Sequence, residues 1–256
     1  MRHGLQTSRR ALVTGGAKRI GRAIVEDLAD HGFEMVIHYN RSGDCSEELA
    51  ASIRAKGGRA FVVQTDLTEM NAVERLIREA TSIAGPLDIL VNNASVFEPD
   101  TADAFSWDIW NRHFDLHVKA PVMLAQKFYE ALPQDHDGMV VNIIDQRVWK
   151  PTPRYFSYSL SKSALWDATR TMAQTFAPRI RVNAIGPGPT LANVRQRAAD
   201  FEAQARSVPL GHGPSLDEFG KTIRYLWEAK SVTGQMIAID GGQHLAWRTP
   251  DATGNE

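Results

Sequence analysis

The chain has 256 residues, of which 43% are hydrophobic and 23% charged, a composition typical of a globular protein with a sizeable core. The formal net charge is -1, so no overall positive field would attract nucleic acid or an anionic membrane. The single cysteine, Cys45, cannot form an internal disulfide and favours a reducing compartment. Because no segment approaches the ~20 apolar residues of a membrane span, we expect a cytoplasmic protein without a membrane partner.

Short runs rich in valine and isoleucine alternate with amphipathic helical patterns along almost the whole chain. The predicted strands are residues 11–14, 34–39, 60–64, 87–91, 139–144, 180–184 and 236–239. This alternation is typical of a parallel sheet with helices on both faces. We therefore predict a single α/β domain with a doubly wound sheet over residues 10–247, between an N-terminal tail (residues 1–9) and a C-terminal tail (residues 248–256).

The first predicted strand runs directly into a glycine-rich turn, TGGAKRIG, at residues 14–21. Glycines let backbone N–H groups approach a pyrophosphate, and the helix that follows directs its positive end at the phosphates. Such a turn alone is a weak signal, but its place between a strand and an amphipathic helix strengthens it. The candidate cofactor contacts in this turn are Gly15, Lys18, Arg19, Ile20 and Gly21.

The end of the second predicted strand indicates which nicotinamide cofactor is bound. An NAD site usually has an acidic residue ~20 residues after the glycines, where it holds the ribose 2′-hydroxyl. Arg41 occupies that place here, and its guanidinium can form a bidentate pair with a 2′-phosphate. This substitution favours NADPH over NADH. The candidate contacts at this strand end are His38, Tyr39, Asn40, Arg41 and Ser42.

Further candidate cofactor contacts follow other predicted strands, whose carboxyl ends share one edge of the sheet. Asp66 could accept a hydrogen bond from an adenine amino group, and the backbone at Asn93 could approach the cofactor. Either segment could also be an ordinary turn. The full set at these strand ends is Asp66, Leu67, Asn93, Ala94, Ser95, Pro187 and Gly188.

One polar segment, residues 191–210, interrupts the alternation of strands and helices. It follows a Gly-Pro-Gly-Pro corner at residues 186–189, at the end of the sixth predicted strand. Because ligands bind at the carboxyl ends of such strands, we predict that this segment is a lid over the substrate. The alternative is a plain surface excursion.

Tyr158 and Lys162 are four residues apart, a spacing that places both side chains on one face of a helix. A nearby ammonium favours the phenolate, so we expect the tyrosine pKa to fall from ~10 toward neutral pH. Such a tyrosine can give or take a proton beside a hydride transfer. The pair also occurs by chance in many proteins, and its position downstream of a nucleotide-binding half gives it weight.

These motifs resemble those of the short-chain dehydrogenase/reductase family, in the same order along nearly the whole chain. The glycine-rich turn, Asn92-Asn93-Ala94 and the Tyr158/Lys162 pair are joined by two later segments, at residues 232–234 and 240–242. The resemblance implies a single Rossmann-type domain with a seven-stranded, mostly parallel sheet, a nicotinamide cofactor and commonly a homotetramer. It also implies that the lysine holds the nicotinamide ribose hydroxyls.

Three positions depart from the usual pattern of the family: Arg19 replaces a glycine or alanine, Asp145 a serine, and His117 an asparagine. The first two match one branch, the pteridine reductases and the bacterial dihydromonapterin reductases. Residues 38–42 and 93–97 are also similar to segments of that branch, in which a phenylalanine stacks the pterin against the nicotinamide. The resemblance thus implies a substrate-binding set of Arg19, Ser95, Phe97, Asp145 and Tyr158.

The side chains of this set suit a pterin chemically. A flat aromatic ring can stack on Phe97, and its ring nitrogens need proton donors near the hydride-accepting carbon. Asp145 could donate if burial kept it neutral, or it could act through water. An imidazole at His117 could bond the helix backbone or a water, or it could simply face a neighbour.

The sequence therefore predicts an NADPH-dependent reductase of a dihydropterin, such as dihydromonapterin or dihydrobiopterin, with dihydrofolate as a further candidate. The predicted catalytic residues are Asp145, Tyr158 and Lys162. One alternative is a carbonyl reductase of the same fold, in which Asp145 would orient the substrate. The other is an NADPH-binding regulator without catalysis, against which Tyr158 and Lys162 argue. We expect no metal, since the histidines lack metal-ligand spacing.

Overall fold

A computed structural model of the protein describes residues 9–192 and 196–247. All seven predicted strands are present. They are β1 (Arg9–Val13), β2 (Phe33–Tyr39), β3 (Ala60–Gln64), β4 (Ile89–Asn92), β5 (Gly138–Ile143), β6 (Ile180–Pro187) and β7 (Met236–Ile239). Every pair of neighbours is parallel, and the order across the sheet is β3-β2-β1-β4-β5-β6-β7. The predicted single α/β domain with a seven-stranded sheet is confirmed, and the sheet is parallel throughout.

Eight α-helices lie within the described ranges, together with a π-helical turn at Asp115–Lys119. The helices are α1 (Arg19–Asp30), α2 (Gly43–Ala55), α3 (Met70–Ala84), α4 (Trp107–Phe114), α5 (Ala120–Ala131), α6 (Phe156–Phe176), α7 (Ala198–Arg206) and α8 (Asp217–Glu228). None of them is both long and apolar enough to cross a membrane.

The strands are apolar on both faces because helices cover both. Leu12 packs into the core that contains Leu76 of α3 and Leu124 of α5. The next residue, Val13, points to the other face, into the core that contains Ile24 of α1 and further residues of α2 and α8. Successive side chains of a strand point to opposite faces, so a continuous apolar run serves both cores.

The candidate site lies where the strand order reverses. β1 lies between β2 and β4, and Val13 pairs with Ile37 on one side and Val91 on the other. The connections from β1 and β4 leave on opposite faces of the sheet, which opens a crevice at their carboxyl ends. The glycine-rich turn and residues 93–97 therefore meet at this crevice.

The chain ends and the predicted lid are described only in part. β1 begins at Arg9, the last residue of the predicted N-terminal tail, and residues 1–8 and 248–256 lie outside the described residues. The centre of the predicted lid, residues 193–195, also lies outside them. Within the rest of that segment, α7 has no buried residue, as expected of an element that lies on the surface.

Candidate active site

The glycine-rich turn is tied directly to the end of β4. The hydroxyl oxygen of Thr14 accepts hydrogen bonds from the N–H groups of Asn93 (2.9 Å) and Ala94 (3.0 Å). In return, the Asn93 amide donates to the carbonyls of Thr14 (2.9 Å) and Gly15 (3.1 Å). Asn93 and Ala94 thus hold the turn in place, in addition to lying at its edge as predicted.

Two glycines in the turn make this close approach possible. Gly15 has a φ of +61°, and a Cβ atom on it would lie 3.1 Å from Cα of Ala94. A Cβ on Gly21 would lie 2.2 Å from the Gly15 carbonyl oxygen, which is a severe clash. Lys18 precedes the first turn of α1, and its side chain does not cap the N–H groups there. The turn therefore offers backbone donors and a cradle without side chains, the arrangement that suits a phosphate.

Arg19 reaches across the crevice from this turn. Its guanidinium donates hydrogen bonds to the carbonyls of Leu191 (3.2 Å) and Ala192 (3.0 Å), which begin the predicted lid segment. Ile20 beside it is half-buried and packs against the core. Arg19 therefore joins the glycine-rich turn to the segment that follows β6.

His38 has a different role from the one that the sequence suggested. Its Nδ1 accepts a hydrogen bond from the Gly15 N–H (3.1 Å), and its Nε2 donates to the Thr65 carbonyl (2.9 Å). Burial lowers the imidazole pKa to about 4, so the ring is neutral at physiological pH. Since both ring nitrogens are bonded inside the protein, His38 supports the glycine-rich turn and has no nitrogen free for a phosphate.

Arg41, by contrast, is exposed at the end of β2 and forms no hydrogen bond or salt bridge with any residue that the structure describes. Nearby, Asp66 accepts hydrogen bonds from the Thr68 N–H (2.9 Å) and hydroxyl (2.7 Å). These bonds, with a smaller effect of the Arg41 charge, lower the pKa of the Asp66 carboxyl. The strand end therefore presents a free guanidinium beside an ionised carboxylate.

The remaining predicted contacts lie at the same edge of the sheet. Leu67 is buried and Tyr39 and Ser42 are half-buried, whereas Asn40 is exposed and its carbonyl accepts a hydrogen bond from Gln64. Pro187 ends β6. A Cβ on Gly188 would lie 2.5 Å from Cα of Asp240, so this corner packs tightly against the chain after β7.

Tyr158 and Asp145 form a direct hydrogen bond. The tyrosine hydroxyl donates to Oδ2 of Asp145 (2.9 Å), and Oδ1 accepts the Arg147 N–H (2.8 Å). One guanidinium nitrogen of Arg147 lies 3.8 Å from Oδ2. Asp145 therefore accepts two hydrogen bonds and lies beside a cation. It orients the Tyr158 hydroxyl, and its proton donation, directly or through water, stays a prediction.

The expected effect of Lys162 on Tyr158 is wrong. Burial raises the pKa of Tyr158 well above its ordinary value, and the Asp145 charge and hydrogen bond add to this. The opposing cation is Arg147. Lys162 instead donates to the Ile143 carbonyl (2.9 Å), and its Nζ lies 5.8 Å from the Tyr158 ring centroid. Tyr158 is therefore protonated at neutral pH, as a proton donor must be.

Phe97 forms one wall beside the Tyr158 hydroxyl. Its ring contacts Tyr158 edge to face, with centroids 4.7 Å apart, and stacks on Tyr155 with centroids 3.9 Å apart. The Arg147 guanidinium lies 5.3 Å from the centroids of both Phe97 and Tyr155. Arg147 and Tyr155 were not predicted from the sequence to belong to the site. The only available signal was their position in the sequence: Arg147 comes two residues after Asp145, and Tyr155 comes three residues before Tyr158.

His117 is buried and contacts the loop after β4. Its Nε2 lies 3.0 Å from the Ser95 hydroxyl and accepts the Val96 N–H (3.2 Å). Its Nδ1 lies 2.8 Å from the Ser161 hydroxyl on α6. Of the expected roles, contact with neighbouring side chains is the one observed, and the imidazole joins two elements of the site.

Cavities are found on two sides of the part of the chain that the structure describes. One of about 390 Å³ is lined by Asp100, Arg154 and Tyr155, and so adjoins the aromatic wall. The other, about 360 Å³, is lined by Asp137 and Arg181, near the amino ends of the strands and away from Tyr158. The described residues contain no cluster that could hold a metal ion.

The comparisons with known proteins agree with this geometry. The family model described as short chain dehydrogenase matches residues 9–203. A short-chain type dehydrogenase/reductase of Picea abies is 31% identical over 247 residues, 91% of each chain. The 3-oxoacyl-(acyl-carrier-protein) reductase FabG of Staphylococcus epidermidis is 28% identical over 240 residues, 92% of this chain and 98% of that protein.

A solved structure is more similar still. FolM alternative dihydrofolate reductase 1 from Brucella suis, crystallised in complex with NADP, is 60% identical to this chain and superposes with a TM-score of 0.93. The match covers 95% of this chain and 98% of that one. Because the family model spans most of the chain and the structure carries the matching crevice, this protein belongs to the short-chain dehydrogenase/reductase family.

Proposed function

We propose that the protein is an NADPH-dependent reductase of a dihydropterin ring, with dihydromonapterin, dihydrobiopterin and dihydrofolate as the candidate substrates. The observation that carries this proposal is the aromatic wall of Phe97 and Tyr155, whose rings stack with centroids 3.9 Å apart, and the Phe97 centroid lies 4.7 Å from that of the proton donor Tyr158. A flat heterocycle can pack against that wall while its nitrogens lie near the Tyr158 hydroxyl. The similarity to an alternative dihydrofolate reductase supports the same conclusion.

The cofactor site follows from the observed crevice. The glycine-rich turn would hold the pyrophosphate, because the first N–H groups of α1 have no side-chain cap, and Gly21 allows the turn to fold closely over them, where a Cβ would clash with the Gly15 carbonyl. The free guanidinium of Arg41 would pair with the 2′-phosphate, and Lys162 would hold the ribose hydroxyls. When bound, the cofactor supplies the hydride. The NADP complex of the Brucella suis protein supports this assignment.

The residues of the site would bind the substrate, donate the proton and position the donor. Phe97 binds one face of the ring and excludes water from it. Tyr158 gives its proton to the ring, and Asp145 holds the hydroxyl in place until the substrate arrives. Lys162 keeps a positive charge beneath the tyrosine ring, at 5.8 Å from its centroid. We also propose a cytoplasmic homotetramer, as the composition and the family resemblance predict.

Reduction of a simple ketone is the second candidate, favoured by the 28% identity to a 3-oxoacyl reductase and by the Tyr158/Lys162 pair. The aromatic wall distinguishes the two candidates, because a ketone gains little from stacking. A catalytically inactive regulator is a weaker candidate, since Tyr158 is hydrogen-bonded and protonated, in the state that catalysis requires.

Replacement of Phe97 by alanine tests the substrate class. We expect kcat/KM for a dihydropterin to fall about ten-fold, because aromatic stacking contributes roughly 0.5–1.5 kcal/mol beyond burial. NADPH affinity and any ketone reduction should change less than about two-fold. NADPH oxidation is followed with dihydropterin, dihydrofolate and a panel of ketones. Phe97→Leu is the control, since it retains apolar volume without the ring. If wild type reduced only the ketones, the dihydropterin assignment would be wrong.

The charge of Lys162 gives an expected pH dependence. Burial lowers its pKa to about 8, so the ammonium is charged below that pH and neutral above it. We therefore expect kcat/KM for NADPH to fall as the pH rises through about 8. Lys162→Arg should not show this decline, because a guanidinium stays charged up to about pH 12. A wild-type profile that stayed flat up to about pH 9.5 would contradict the assignment.

A further inference from the structure

Two buried histidines lie side by side behind the wall of the proposed substrate slot. His113 ends the last turn of α4, and His117 lies in the π-helical turn that follows it. Their side chains are almost completely buried, and their rings are nearly parallel, with centroids 5.5 Å apart and planes inclined by 18°. π-Helical turns inside helices are frequent at functional sites. The position of His117 in such a turn therefore indicates a functional role for the pair.

Each imidazole joins the same two elements. Nδ1 of His113 lies 2.8 Å from the Ser157 hydroxyl, and Nδ1 of His117 lies 2.8 Å from the Ser161 hydroxyl, both on α6. On the opposite side, Nε2 of each ring accepts a backbone N–H, at 3.3 Å for His113 and 3.2 Å for His117. We call this arrangement the histidine ladder; it comprises His113, His117, Ser157, Ser161 and the N–H groups of Val96 and Glu98.

The spacing of the three elements explains why the ladder forms. The two histidines are four residues apart, and so are the two serines, which corresponds to a rise of ~6 Å along a helix. Val96 and Glu98 are two residues apart, which corresponds to ~6.6 Å along an extended chain. The two rungs, each consisting of one histidine with its serine and its backbone N–H, can therefore form together. Phe97 lies on the loop between them.

The hydrogen bonds determine the protonation of both rings. The Ser161 hydroxyl donates its own proton to the Tyr158 carbonyl (2.7 Å), and the Ser157 hydroxyl donates to the Asp100 carboxylate. Each serine oxygen must then accept from an Nδ1–H, while each Nε2 accepts an N–H and carries no proton. Both histidines are therefore neutral Nδ1–H tautomers. Burial favours this state, since it lowers the pKa of both imidazoles.

The ladder contacts both sides of the proposed slot. The Tyr158 ring lies edge to face against both imidazoles, with centroids 5.8 Å from His113 and 5.4 Å from His117. The loop held by the rungs carries Phe97, whose ring in turn contacts Tyr158. One pair of rings thus determines where the aromatic wall and the proton donor stand relative to each other.

We propose that His113 and His117 are paired positioning residues, which in the Nδ1–H tautomer hold the 96–98 loop and the Tyr158 ring at the separation that a dihydropterin requires. The inference rests on the proposed function for the identity of the ligand. It assigns no proton transfer to either histidine. It predicts that a change of tautomer at one rung, without loss of the ring, weakens substrate binding.

Ser161→Ala tests the ladder by removing a single oxygen. Without that acceptor, His117 can move its proton to Nε2, where the Ser95 hydroxyl can accept it and the hydrogen bond from the Val96 N–H is lost. Ser159→Ala is the matched control on the same helix, because the Ser159 hydroxyl is buried and has no partner among the described residues. Both variants are compared with wild type by ¹⁵N NMR of the imidazoles and by steady-state kinetics with dihydropterin.

In wild type and Ser159→Ala, we expect both histidines as neutral Nδ1–H tautomers. In Ser161→Ala, an Nε2–H population should appear, and KM for dihydropterin should rise about five-fold with kcat within about two-fold, as for the loss of one hydrogen bond. An Nε2–H tautomer in wild type, or equal KM values in the two variants, would overturn the ladder. If no dihydropterin were reduced at all, the proposed function would fail, and the NMR tautomers would still decide the ladder.

Discussion

Replacement of Tyr158 by phenylalanine is expected to lower kcat by roughly 10²–10⁴, the contribution of a positioned general acid. The buried hydroxyl is protonated at neutral pH, because burial and the Asp145 carboxylate raise its pKa. Phenylalanine retains the ring that packs edge to face against Phe97, His113 and His117, so the slot keeps its shape. The loss should therefore appear in kcat, with little change in KM for the dihydropterin.

This result is checked by steady-state kinetics together with a fluorescence titration of NADPH, which should be unchanged. Tyr225→Phe is the matched control, because Tyr225 is 56% exposed on α8, far along the chain from the site. A Tyr158→Phe enzyme that retained most of its turnover would show that the proton comes from another group. Asp145→Asn then becomes informative, since it keeps an acceptor for the hydroxyl without the charge.

Replacement of Arg41 by aspartate is expected to weaken NADPH binding about a hundred-fold. A hydrogen bond between charged groups contributes about 1.5–3 kcal/mol, and the new carboxylate would also repel the 2′-phosphate. The same carboxylate can accept hydrogen bonds from the ribose hydroxyls of NADH, whose affinity should stay equal or rise. The preference between the two cofactors would therefore shift toward NADH.

Titration of both cofactors against wild type and variant measures this shift. Arg78→Asp on α3 is the matched control: Arg78 is exposed and its guanidinium has no hydrogen bond among the residues described. It changes the net charge equally, away from the strand end. If wild type bound NADH as tightly as NADPH, or if both variants lost NADPH affinity equally, Arg41 would not be the determinant of cofactor choice.

Local patterns in the sequence were sufficient to predict the sheet and the crevice. Each strand is a short apolar run because both of its faces are covered, so it can be recognised within a few residues, as in β2. Gly15 and Gly21 are likewise readable, since the φ of +61° at Gly15 favours glycine and the 2.2 Å approach at Gly21 leaves no room for a Cβ. Arg41 is a local signal too, because only one helix and one strand separate it from the glycines along the chain.

The chemistry of the site depended on contacts between distant parts of the chain. His38 stands in the expected segment, yet Thr65, 27 residues away, occupies its Nε2. The expected lowering of the Tyr158 pKa rested on the nearby Lys162 charge, whereas burial and Asp145 raise that pKa. Asp145 accepts hydrogen bonds from the Arg147 N–H and the Tyr158 hydroxyl, and so orients that hydroxyl.

The sequence by itself thus determined the fold, the glycine-rich turn and the placing of Tyr158 and Lys162 on one helix, because these follow from local periodicity and spacing. Only the tertiary structure decided the protonation states and the hydrogen-bond partners. His113 shows the reason: its serine partner is 44 residues away, and its spacing to His117 is that of any helical pair. A pKa depends on burial and on the charges that folding brings near, and no local pattern records either.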